Sequence, residues 1–84
     1  MKITDFKLIK NRQRPDLCYS YVKYNEHKTE KYMLFTIDGG NSFLASIIST
    51  NNSGKLVDTD FSETFKTIEE GLDAIISYLA NKNK

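Results

Sequence analysis

The chain of 84 residues has no tryptophan, one cysteine, one histidine and one proline. With Cys18 alone, an intrachain disulfide is excluded, and so is a zinc site built from several thiolates. No apolar run approaches the ~20 residues that span a bilayer. Met1 and Lys2 lead into Ile3-Thr4-Asp5-Phe6, where a secretory leader would be continuously apolar. The expectation is a cytoplasmic protein without membrane contact, in which Asn51-Asn52-Ser53 is a turn rather than a glycosylation site. An excess of one charge is missing too: 12 Lys+Arg stand against 11 Asp+Glu, leaving +1. That balance argues against a histone-like binder of polyanions and gives no acidic tail.

What is present is globular. Hydrophobic residues make up 39% and charged residues 27%, which places the chain outside the disordered class. Residues 1–84 are expected to form a single domain. A domain this small buries only roughly 60% of its unfolded surface, so its core is thin. Ten lysines against two arginines, with abundant Asn and Ile, reflect AT-rich codons and suggest a low-GC genome or mobile element as the source.

Hydrophobic periodicity predicts an α+β fold: an antiparallel meander of four to five strands with one C-terminal amphipathic helix packed on one face. Strands are expected over 3–10, 17–24, 31–38 and 42–50, with a short edge strand over 55–58. Pro15 cannot donate to a ladder, so the segment around it is a loop. Asp38-Gly39-Gly40-Asn41 is a hairpin turn, since glycine supplies positive φ at no steric cost, and residues 51–54 form a second turn. Connections this short exclude parallel crossovers. Thr67-Ile68-Glu69-Glu70 is a capping box, and Ile68, Leu72, Ile75, Ile76 and Leu79 fall on one stripe of a helix running to about residue 81. Gly71 costs a helix roughly 1 kcal/mol against alanine, which is understandable if the helix backbone packs closely on the sheet.

Catalytic chemistry finds little support. A thiolate needs a base within about 3 Å, whereas Cys18 near the start of the second strand and His27 beyond its end should lie about 20 Å apart. Cys18 reads as a small strand residue and His27 as a solvated side chain. Asp58-Thr59-Asp60 resembles the opening of a calcium loop, but Glu63 stands where the loop needs glycine and Glu69 belongs to the helix cap. Gly39-Gly40 lacks the helix start and Lys of a phosphate loop. The expectation is no enzyme, no metal and no small-molecule cofactor.

One helix covers one sheet face, and neither face reads cleanly polar. Met33, Phe35 and Ile37 alternate with Tyr32, Leu34 and Thr36, while Phe43, Ala45 and Ile47 alternate with Leu44, Ser46 and Ile48. A contiguous exposed apolar surface marks an interface, so a second copy of the chain or another macromolecule is expected to cover it. Charge is also uneven. Residues 1–34 carry eight Lys+Arg and four acids (+4), and residues 35–84 carry four lysines and seven acids (−3). The basic half holds four of the tyrosines. Tyr19, Tyr21, Tyr32 and Leu34 are therefore the expected anchors of a partner, with Lys23 beside them and Arg12 and Arg14 as rim contacts.

Two architectures are similar in outline. Four strands followed by a helix resemble the single-strand-binding transcriptional coactivator fold, which implies dimers that bind DNA on their sheets. Phe65-Lys66-Thr67-Ile68-Glu69-Glu70 is similar to the strand-to-helix junction in the arm-binding domains of phage integrases, which implies a sheet laid against DNA. The second likeness rests on a short segment dominated by capping chemistry, and neither assigns a family. A small non-enzymatic inhibitor or regulator that occludes a protein partner, acting as a homodimer, is the leading expectation. A binder of single-stranded nucleic acid is the alternative.

Overall fold

The computed structural model describes residues 1–50 and 55–82. A 3₁₀ turn (Ile3–Asp5) precedes strands β1 (Lys7–Lys10), β2 (Tyr19–Tyr24), β3 (Glu30–Thr36), β4 (Phe43–Thr50) and β5 (Leu56–Phe65), and helix α1 (Ile68–Lys82) follows. The strands pair antiparallel in chain order, β1-β2-β3-β4-β5. The α+β meander with one C-terminal helix is as the periodicity predicts. The turn expected at residues 51–54 lies outside the described residues.

Among the boundaries that differ from expectation, three have a visible cause. The chain start is a turn rather than strand, because the Asp5 carboxylate accepts from the Lys2 amide at 2.9 Å and Phe6 N–H bonds back to Ile3 O at 3.0 Å. That turn directs Phe6 and Ile3 into the core. The second strand begins at Tyr19, since the amides of Leu17 and Cys18 are held by the Arg14 carbonyl at 3.2 and 2.8 Å. The fifth strand is much longer than expected. Phe43 pairs with Phe65 and Thr50 with Leu56, so the full length of β4 has a partner. Residues 59–65, where no strand is expected from the sequence, continue this edge strand, with Asp58, Asp60 and Glu63 along it. Branched and aromatic residues between them fit the pleat, and two register breaks absorb the mismatch.

The β3–β4 connection is built on a carboxylate. Gly39 (φ 72°) and Gly40 (φ 97°) take left-handed conformations, and Asp38 ties the ends. It accepts from the hydroxyls of Ser42 at 2.6 Å and Thr36 at 2.7 Å, and from Ser42 N–H at 3.0 Å. The hydroxyl bonds, that of Ser42 foremost, lower its pKa to about 2.

Thr67 caps α1: its hydroxyl accepts from Glu70 N–H at 3.2 Å and donates to the Glu70 carboxylate at 3.3 Å. The helix packs on β4, β5 and β3, with no comparable packing on β1 or β2. Beneath it Leu34, Ala45 and Ile47 are fully buried, as is Ile75 on the helix's own inner face. Gly71 is the point of closest approach. A Cβ there would lie 2.7 Å from Leu34 Cδ2 and 3.5 Å from Ala45 Cβ, so an added methyl would force the buried Leu34 side chain to shift. At the other end of the helix Lys82 reaches Glu30 at 2.8 Å and Asp60 at 3.9 Å, tying α1 to β3 and β5.

Candidate functional site

The strand register decides which side chains face the helix. On that face one row runs Leu8, Tyr21, Leu34, Ala45, Glu63, and the next runs Lys23, Tyr32, Ile47, Phe61. The predicted anchors therefore lie on the wrong side of the sheet for a free surface. Leu34 is fully buried and Tyr32 only 6% exposed, both in the core cluster. Burial raises the Tyr32 phenol above its ordinary pKa, and the neighbouring Glu30 carboxylate adds to the rise. Tyr19 and Tyr21 pack edge-to-face at the margin of the core, and Tyr19 also meets Phe43. Lys23 is half-buried, while Arg12 and Arg14 are exposed in the β1–β2 loop. Of the seven expected contact residues, only the two arginines are fully solvent-facing.

The opposite face carries what the sequence reasoning passed over. Its rows are Ile9, Ser20, Phe35, Leu44, Thr64; then Lys7, Val22, Met33, Ser46, Ser62; then Tyr24, Lys31, Ile48, Thr59. No helix or strand of the described residues packs over it. Val22, Ser46 and Ile48 at its centre are buried by their neighbours, whereas Met33, Phe35 and Leu44 are half-buried and Ile9 is 49% exposed. Ile37, just beyond β3, is 65% exposed. Nothing in the sequence marks this orientation, since the small residues Ala45 and Ser46 stand side by side in the middle of β4 on opposite faces.

At the β1 margin this open face becomes basic. A hollow of about 440 Å³ is lined by Asp5, Lys7, Ile9, Val22, Lys23, Tyr24 and Lys31. Lys31 Nζ lies 6.0 Å from the Tyr24 ring centroid, at the limit of a cation–π contact. A second hollow of about 280 Å³ runs from Ile9 past Cys18 to Phe35. A third, about 270 Å³, lies on the helix side of β1 between Leu8, Pro15 and Tyr21. The sheet is thus recessed on both sides of β1.

Cys18 is half-buried just ahead of β2, and His27 is exposed in the turn after it, so six strand residues separate them. Among the described residues no group of three or more His, Cys, Asp or Glu side chains could hold a metal ion. Among them, too, no helix is long and apolar enough to cross a membrane. No family model, curated protein or solved structure significantly matches this chain.

Proposed function

We propose that the chain is a small non-enzymatic binding module that engages a protein partner through the open face of its sheet. As an inhibitor or regulator of the phage or mobile-element kind, it would act by occluding that partner's surface in the cytoplasm. One observation carries this reading: an apolar sheet face, with Ile9, Met33, Phe35 and Leu44 at least partly exposed, has no layer of the described residues above it. Lysine is the only charged residue type in its rows, which favours a partner with acidic groups around an apolar centre.

A crosslinking pair tests it. A photo-crosslinking amino acid at Phe35 should trap one protein in its cellular setting, and the adduct should disappear with Leu44→Glu. The same group at the exposed helix position Asp73 should trap nothing specific. Adducts only with a second copy of the chain would reduce the reading to the expected homodimer, which light scattering at micromolar concentration would show independently. No adduct from either position would sink it.

The nucleic-acid reading retains one supporting feature, the Lys7–Lys31–Tyr24 cluster on the open face. Its other expected stacking platforms, Tyr19, Tyr21 and Tyr32, lie on the helix side. Oligonucleotide affinity that falls steeply with salt and drops on Tyr24→Ala would restore it.

A further inference from the structure

The geometry points to β1 as a strand-addition edge for an extended, acidic segment of another protein. The inference rests on the protein-binding reading above and specifies the partner's chemistry and its mode of docking.

The hydrogen-bond phase of the sheet is the first observation. Asn11 N–H bonds to the Cys18 carbonyl at 2.9 Å, directly continuing the β1–β2 register. In an antiparallel ladder, hydrogen-bonded and non-bonded pairs alternate. Ile9 and Lys7 therefore direct their backbone groups toward β2, and Leu8 and Lys10 direct theirs outward. Asn25 N–H to Glu30 O at 3.1 Å and Thr50 N–H to Thr29 O at 2.8 Å set the same alternation across the next two pairs. Among the described residues, neither Leu8 nor Lys10 has a backbone partner on its outer side. All four side chains of β1 are exposed, and hollows lie on both faces beside it. An added strand needs a free backbone edge and space for alternate side chains above and below the sheet.

Charge selects the occupant. Lys7 and Lys10 lie on β1, Arg12 and Arg14 follow it, and Lys31 faces the adjoining hollow. Two acids stand beside these cations: Asp5, engaged with the Lys2 amide, and Asp16, which lines the helix-side hollow with Lys10. A second copy of β1 would set one cationic edge beside another, which opposes self-pairing. The other sheet edge, β5, is acidic and broken by register shifts, features that turn strands away. An acidic strand from a different protein satisfies both the free backbone and the lysines.

The probe is a blocked peptide of roughly eight residues alternating Glu and Val, titrated into the isotope-labelled full chain. Amide shift changes should centre on Leu8 and Lys10, and affinity should fall with added salt. Leu8→Pro removes an outward N–H without touching the β1–β2 ladder and should weaken binding about tenfold. Leu8→Ala should weaken it less. If the proline variant loses its native spectrum, N-methylation of alternate peptide residues makes the same backbone test, with about tenfold weaker binding expected again. Shift changes confined to Met33, Phe35 and Leu44 would overturn strand addition and leave the protein-binding reading standing. Equal binding of a Lys–Val peptide, no binding of the Glu–Val peptide, or self-association through β1 would each overturn it.

Discussion

The two ends of the sheet are built differently. At the β4–β5 end the strands are long, the helix lies on them, and Leu34, Ala45, Ile47 and Ile75 are sealed from solvent. At the β1 end the strand has four residues, all exposed, and Leu8 and Ile9 keep 41% and 49% of their surface in water. The apolar residues on the two ends are chemically alike, yet only one end is a core. Hydrophobic burial depends on area removed from water, so the same side chain stabilises the fold at one end and is available for contact at the other.

Equivalent truncations at the two ends give the largest contrast. Ile47→Ala or Ile75→Ala should cost about 2–5 kcal/mol, a large share of the stability of so small a domain. Ile9→Ala should stay within roughly 0.5 kcal/mol, as exposed positions do. Urea denaturation measures both, and similar losses would mean that β1 belongs to the cooperative core.

Gly71→Ala tests how tightly the helix-covered end is closed. Alanine adds roughly 1 kcal/mol of helix propensity, but its methyl would meet Leu34 Cδ2 at 2.7 Å. Overpacking of that kind costs about 1–3 kcal/mol, so the net change is a modest destabilisation. In a Leu34→Ala background the clash is gone and Gly71→Ala should become stabilising. A double-mutant cycle without that reversal of sign would refute the close contact.

Thr67→Ala should cost about 1 kcal/mol by leaving the Glu70 amide uncapped, read as a lower thermal midpoint with helix content otherwise retained. The smallest effect is confined to acid. Asp38 has a folded pKa of about 2, below the ~3.9 of an unfolded aspartate. Its contribution is therefore complete above pH ~3.9 and is lost as pH falls through 2. Asp38→Asn should flatten that part of the stability profile, and an unchanged acid limb would show that the turn bonds do not matter to folding.

Much of the fold was legible because its signals are local. The Thr67 cap, the apolar stripe from Ile68 to Leu79 and the glycines at 39 and 40 each act within a few residues. The long β5 was not legible, because Asp58, Asp60 and Glu63 read as a polar segment until β4 supplies a full-length partner. The interaction residues were missed for a related reason. Two-residue alternation sorts side chains into two sets without saying which set lies under the helix. Tyrosine content favoured one set for solvent, and the structure buries Tyr32 and Leu34 from that set.

Scarcity in the sequence set the broad limits. A lone cysteine, a lone histidine and near-neutral charge constrain chemistry whatever the fold, because bonds and charges can only be made by groups that are present. Local patterning likewise determined the helix, the hairpin and the meander. Tertiary structure alone decided which sheet face is covered, how far β5 runs and that β1 is left bare on both faces and along its outer edge. Those outcomes depend on contacts between segments far apart in the chain, above all Gly71 against Leu34 and Ala45. A helix can press its backbone onto only one of two apolar faces.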